Sequence, residues 1–243
     1  MTKVVISQPM YFPWYGHLEQ IKHCDIYVFY DDVQFSRGFF NRVQLKAVDS
    51  QRWMTVPLEG GESRKPINQH QPSGSEDWIS SHKNLFRQLY EKHPFYADAM
   101  NLLEATLHSH NSQDSLARLS EHSTRALANT FEMNHTCFMR SSDLNIGGKG
   151  SQRLVDICKH LGATEYITGH GASKYMDHSL FEESGISVSY ISYGKSPYTQ
   201  HSGHTFIPYV SSLDCIANCG HNASNYLSGS LVSWKEFLGK LHP

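Results

Sequence analysis

The order strand, loop, helix, strand over residues 3–32 constrains this chain more than any other feature. Lys3–Ser7 is a short run rich in β-branched residues, which suit pleated backbone. It ends at a Pro-rich, aromatic loop, and an amphipathic stretch, Gly16–Cys24, follows. Asp25 stops that helix, and Ile26–Tyr30 reads as a second strand ending at Asp31-Asp32. Two strands joined by one helix over so short a span form a βαβ unit, whose right-handed crossover makes the strands parallel.

The rest of the chain continues the alternation. Phe39–Ala47 and Arg52–Pro57 read as short strands around a turn at Val48–Gln51, and Gly60–Gly74 as a polar loop. Ser75 is the expected cap of a helix carrying Trp78, Ile79, His82, Leu85, Phe86 and Leu89 at helical spacing. Further helices are predicted at Phe95–His108 and Gln113–Glu132, so that residues 75–132 form a helical insertion or cap whose aromatic stripe reads as core. Thr136–Arg140, Glu165–Thr168 and Val188–Ser192 are strands; Ser141–Gly150 is a loop, and Ser151–Leu161 is a helix closed by Gly162. The tail is predicted to hold helices at Ser211–Cys219 and Ser230–Leu241. The expected fold is α/β, a mainly parallel three-layer Rossmann-like sheet in a single domain over residues 1–243.

Composition narrows the function classes. At 243 residues the chain can bury a substantial core, and its 39% hydrophobic and 18% charged content is ordinary for a globular protein. A formal charge of −2 argues against DNA as a partner held on a basic surface, while leaving room for one phosphorylated small molecule. No run approaches the roughly 20 apolar residues of a membrane span, and Val4-Val5-Ile6 is too short for a signal peptide. Five scattered cysteines, Cys24, Cys137, Cys158, Cys215 and Cys219, read as reduced core residues, which points to the cytoplasm. Cys215, Cys219 and His221 are close in sequence, but no second ligand pair accompanies them, and no metal site is assigned.

In open parallel sheets ligands bind at the carboxyl ends of the strands, where strand order reverses. Several polar clusters fall at such ends: Ser7-Gln8-Pro9, Asp31-Asp32, Ser141-Ser142-Asp143 and Thr168-Gly169-His170. The loop Ser7–His17, with Tyr11, Trp14 and two prolines, is the expected centre of the site; the prolines stiffen it and Gly16-His17 opens a helix. Free N–H groups there favour phosphate, and His17 can donate to developing negative charge. Lys149, in Gly147-Gly148-Lys149-Gly150 before a helix, is the second candidate catalytic residue, a cation for phosphates, though the spacing is not Walker A. Adjacent acids on a strand face opposite ways; Asp31 is favoured over Asp32 as the one that holds magnesium or orients an amine. Asn41 and Arg42 can pair with carboxylate or phosphate, His170 lies between glycines with Ser173 and Tyr175 just beyond it, and Tyr198 and Gln200 can read a sugar or base. Gly-x-Ser-x-Gly and His-Glu-x-x-His are absent, which ranks a covalent acyl-enzyme low.

Gly16-His17 resembles the second half of the His-x-Gly-His signature of nucleotidyltransferases and pantothenate-synthetase-like ligases, with Trp14 where the first histidine would stand. A wider set of residues resembles the WbqC-like family. It comprises Gln8-Pro9-x-Tyr11-Phe12-Pro13-Trp14-x-Gly16, Asp25, Tyr30-Asp31-Asp32-Val33-Gln34-Phe35, Asn41-Arg42 and Trp53–Pro57. Lys149-x-Ser151-x-x-Leu154, Gly169-x-Gly171-Ala172-x-x-Tyr175-Met176-Asp177, Pro197-Tyr198-x-Gln200, Phe206-x-Pro208 and Ser212-x-x-Asp214 continue it in order. That resemblance implies a role beside bacterial surface-polysaccharide (O-antigen, lipopolysaccharide) genes. The implied reaction is N-acylation of a nucleotide-linked amino sugar with glycine or another amino acid. Joined to the first resemblance, it implies an ATP- and Mg2+-dependent amide ligase in which His17 stabilises charge on a transferring phosphate. The alternatives are a transferase using a donor preactivated on tRNA or coenzyme A, and a non-catalytic nucleotide-sugar-binding protein.

Overall fold

The computed structural model describes residues 1–241 except 37, 49, 62, 63, 75, 76, 202 and 204. Its centre is a six-stranded sheet ordered β5-β2-β1-β6-β7-β8, formed by β1 (Lys3–Ser7), β2 (Ile26–Phe29), β5 (Cys137–Arg140), β6 (Glu165–Thr168), β7 (Ser187–Ser192) and β8 (Ser230–Ser233). β3 (Arg42–Lys46) and β4 (Gln51–Thr55) form a separate antiparallel hairpin. All neighbours in the large sheet run parallel except β8, which pairs antiparallel with β7 through Ile191↔Leu231.

Strand alternation sorts side chains into two cores. Val5, Tyr27, Phe29 and Ile167 point to one face, where they join Leu18 and Ile21 of α1 (Tyr15–Lys22). The same apolar cluster takes in Phe86 of α2 (Trp78–Tyr90), Leu103 of α3 (Tyr96–His108), Leu127 of α4 (Leu116–Thr130) and Ile216 of α8 (Ser212–Cys219). Val4, Ile6, Val28 and Tyr190 point to the other face. There they meet Leu154 and Ile157 of α6 (Gly150–His160), Phe181 of α7 (His178–Glu183) and Phe237 of α9 (Trp234–Leu241). The result is the three-layer arrangement expected of the βαβ pattern. The middle helices share the first core with the sheet and the hairpin.

Local chemistry sets the helix ends. Ser75, the expected cap of α2, lies outside the described residues; Asp77 is seen to cap it, accepting from the Ser80 N–H at 3.0 Å. Ser115 caps α4 in the same way. α6 ends at Gly162, whose φ of 64° closes a turn in which the Ala163 N–H reaches the Cys158 carbonyl. The predicted loop Ser141–Gly150 opens with one helical turn, α5 (Ser141–Leu144). Ser230–Leu241, expected as one helix, is a strand followed by a helix, because Ser230–Ser233 completes the sheet edge and the Ser233 hydroxyl then accepts from the Glu236 N–H. Among the described residues no helix is long and apolar enough to cross a membrane.

Candidate functional site

The chain runs from β1 outward to β2 and β5 on one side and fills β6 and β7 on the other, so strand order reverses between β1 and β6. A cleft of about 720 Å³ opens at that point, at the carboxyl ends of the strands. Its floor is Ser7 and Gln8 after β1, Tyr30 and Asp32 after β2, and Thr168 and Gly169 at the end of β6. One wall is the glycine-rich entry to α6, Gly148-Lys149-Gly150 with Arg153; another is Gly171, Ala172 and Tyr175; Met10, Gln20, Gln34 and Phe40 also line it.

The α6 entry is shaped by backbone that favours glycine, with φ of 100° at Gly148 and 61° at Gly150. Lys149 is its N-cap and exposed, and its ammonium makes no ion pair among the described residues. The first-turn N–H groups of a helix lack intrahelical acceptors, so this end combines free donors, dipole and cation beside the cleft. Arg153, one turn on, is nearly buried. Its guanidinium lies over Tyr30, donates to the Ile146 carbonyl at 2.8 Å, and meets Asp32 at 2.5 Å. The other Asp32 oxygen is 2.6 Å from the Ser141 hydroxyl. Burial works to raise the Asp32 carboxyl pKa, but the Arg153 and Ser141 hydrogen bonds and the guanidinium charge outweigh it and hold the group below its ordinary value. The lining thus sets two cations against one carboxylate.

Of the residues singled out in the sequence, Gln8, Lys149, Gly169 and Tyr175 line this cleft. The others sit elsewhere. His17 is buried, its Nε2 2.7 Å from the Tyr27 hydroxyl, and burial lowers its pKa to about 4. It packs against Tyr27 of β2 and does not line the cleft. The loop around it is a buried plug. Phe12 N–H donates to the Ser123 hydroxyl, Ser211 and Ser212 donate to the Phe12 and Pro13 carbonyls, and Tyr11 N–H donates to the Phe40 carbonyl. The Tyr11 hydroxyl donates to His82 Nδ1, since His82 Nε2 faces the Thr55 carbonyl. Trp14 packs against Tyr193 and Tyr209, and a Cβ on Gly16 would lie 2.2 Å from the Trp14 indole.

Asp31 is buried under hydrogen bonds from the Ser142 N–H and hydroxyl, which leaves Asp32 as the acid at the cleft. Asn41 is buried on the Val56 carbonyl, and Arg42 lies over Trp53 on the hairpin. His170 donates from Nε2 to the Ile191 carbonyl between Tyr193 and Phe237, and Ser173 hydrogen-bonds the His170 carbonyl. Tyr198 and Gln200, with Tyr90, surround the buried Asp214 carboxylate. Burial raises the pKa of Asp214, and these hydrogen bonds with nearby Lys46 pull it back. That cluster pins α8 to the hairpin and α2, away from the cleft. Among the described residues no group of three His, Cys, Asp or Glu side chains is placed to hold a metal ion; His221 packs against Phe95.

Sequence reasoning placed Ser7, Asp32 and Thr168 in the strand-end clusters without giving them roles, and gave no site role to Gln20, Tyr30 or Arg153. Tyr30 follows from reading every strand's final residues as site positions. Gln20 and Arg153 needed the helix faces.

Comparison with known proteins agrees with the motifs. The model of the WbqC-like protein family matches residues 8–226. An uncharacterized protein of Mycobacterium tuberculosis (strain H37Rv), Rv1507c, is 30% identical over 230 residues, covering 93% of this chain and 98% of its own. No solved structure matches.

Proposed function

From the premise that the chain belongs to the WbqC-like protein family, we propose that the cleft binds a nucleotide-linked amino sugar and that the protein acylates its amine with glycine or another amino acid. The product would serve bacterial surface-polysaccharide synthesis. The observation that carries this reading is Lys149, without an ion-pair partner among the described residues, at the glycine-rich start of α6 beside a cleft at the strand-order reversal. A diphosphate fits free N–H groups and a cation. Tyr30 and Tyr175, the latter 66% exposed at the rim, offer faces for the base.

ATP and Mg2+ are one proposed means of activating the acyl group. Both oxygens of Asp32, the lining's carboxylate, are engaged, so magnesium would arrive on the nucleotide phosphates rather than on a protein cage. A donor preactivated on tRNA or coenzyme A is the second reading. The cleft's volume suits one nucleotide at a time, and His17, the residue assigned to adenylate formation, lies outside it. Both observations favour that second route.

The test is a mass-spectrometric assay with a panel of UDP-, dTDP- and GDP-linked amino sugars and glycine, with ATP and Mg2+ or with charged tRNA or an acyl-coenzyme A. A product heavier by one acyl unit is expected. Lys149→Ala should raise KM for the sugar nucleotide by about tenfold, the loss of one charged phosphate contact. No product from any combination would sink the reading as an enzyme.

A further inference from the structure

Beside the cleft, three guanidinium groups gather on one buried carboxylate. The Glu121 side chain of α4 is 4% exposed. Its Oε1 accepts from Arg125 Nε at 2.9 Å, and its Oε2 from Arg140 Nε at 2.8 Å and Arg118 Nη1 at 3.3 Å. Arg118 and Arg125 share the Glu121 face of the helix, at i−3 and i+4, and Arg140 is the last residue of the edge strand β5. The Arg125 guanidinium also lies over Phe138, 4.8 Å from the ring centre, and donates to the Phe138 carbonyl at 3.3 Å.

Two contacts set this cluster next to the cleft. The Thr124 hydroxyl, on the same turn of α4, donates to the Met10 carbonyl at 3.3 Å, and Met10 lines the cleft. Arg140 is followed by Ser141, whose hydroxyl meets Asp32 of the cleft floor at 2.6 Å.

A clip between α4 and β5 needs one guanidinium on the carboxylate, and each further one adds repulsion. Asp143 of α5, its side chain 62% exposed, takes Arg140 Nη1 at 3.2 Å, so three cations stand against two acids in a chain whose formal charge is −2. The arginine side chains are partly open to solvent, and each keeps N–H donors that these contacts do not use. Forked donors of this kind match phosphate oxygens. We propose that Arg118, Arg125 and Arg140 bind the phosphates of the acyl donor, a thioester of the coenzyme A kind whose nucleotide end carries a 3′-phosphate and a 5′-diphosphate, with Glu121 as the positioning residue. The proposal rests on the preactivated-donor reading above: with the sugar nucleotide in the cleft, a donor nucleotide needs a second anion site beside it. Coenzyme A is favoured over tRNA because a small arginine cluster suits one phosphorylated nucleoside, whereas an RNA backbone calls for a broad basic surface.

The experiment is calorimetry of the full chain with coenzyme A, adenosine 3′,5′-bisphosphate, adenosine, charged tRNA and the UDP-, dTDP- and GDP-linked amino sugars. Coenzyme A and the bisphosphate should bind, and adenosine should not. Arg118→Ala and Arg140→Gln should each weaken coenzyme A by about tenfold, the loss of a charged hydrogen bond, and leave sugar-nucleotide affinity unchanged. Arg118→Ala leaves two guanidinium groups on Glu121, so it decides the matter even if Arg140→Gln fails to fold. Asp143→Asn should tighten coenzyme A by about twofold or more, because it frees Arg140 Nη1 and removes a competing charge; a purely structural cluster gives no such gain. Coenzyme A affinity that Arg118→Ala does not lower, or that Asp143→Asn does not raise, would overturn the proposal. So would charged tRNA that binds through these arginines while coenzyme A does not. Wild-type protein that binds no sugar nucleotide would instead remove the cleft reading, and the donor role with it.

Discussion

Single residues divide sharply between the cleft and its supports. Gly16 shows the difference best. Its place at a helix start suggested room for a phosphate, but the space its missing side chain leaves is taken by the Trp14 indole at 2.2 Å from an ideal Cβ. Gly16→Ala should therefore act on stability, destabilising by about 2 kcal/mol through overpacking, with sugar-nucleotide affinity little changed. Thermal melts and calorimetry on the one variant check both halves. A variant that melts normally yet loses ligand would return the first loop to the site. Phe12 carries the same message, since it holds a φ of 41° while fully buried, its N–H donating to the Ser123 hydroxyl and its carbonyl accepting from the Ser211 hydroxyl. Proline and aromatic density in a sequence marks rigidity, and rigidity serves a plug as well as a binding floor.

At the scale of elements, the site depends on how α6 is held against β2. Arg153 extends from the first turn of α6 to Asp32 just past β2, with Ser141 on the other carboxylate oxygen and Tyr30 beneath the guanidinium. The Arg153 side chain is 7% exposed, so removing its partner leaves a charge buried and unpaired. Asp32→Asn should cost about 2 kcal/mol, lowering Tm by roughly 5 °C. It should also weaken ligand binding, because the start of α6 loses its register against the cleft. A Tm within a degree of wild type, with unchanged affinity, would show that the pair contributes nothing. Elements are also where the sequence was most readable. The βαβ opening, the strands at residues 137–140 and 165–168 and the α6 helix closed by Gly162 all follow from periodicity and end signals, and they place the cleft. β8 escaped because Ser230–Ser233 has no stop signal before the amphipathic run of α9, and only pairing with β7 decides its state. The choice between Asp31 and Asp32 was open to sequence for a similar reason. Strand alternation says that they diverge, but only the position of Ser142 says which one is covered. His17, Tyr198 and Gln200 sit at plausible ends of elements, yet partners distant in sequence, Tyr27 and Asp214 among them, draw them into the interior.

The whole molecule should register its buried imidazoles as acid sensitivity. Burial lowers both His17 and His82 to about 4 from the ordinary 6.5. As pH falls, the unfolded chain takes up these protons first. Their contribution is complete above about pH 6.5 and is lost progressively as pH falls toward about 4, on the order of 3 kcal/mol for each. Urea unfolding at pH 7.5 and 4.5 should show this loss, and His82→Gln should shrink the pH-dependent part. Equal stability at the two pH values would contradict neutral burial. On the same scale, the proposed ligand site is the point where strand order reverses, against the start of α6. Hydrogen exchange with and without a bound UDP- or dTDP-linked amino sugar locates that site. New protection is expected at residues 7–10, 148–154 and 168–175 alone; protection centred instead on residues 11–17 or on the β3–β4 hairpin would overturn the placement.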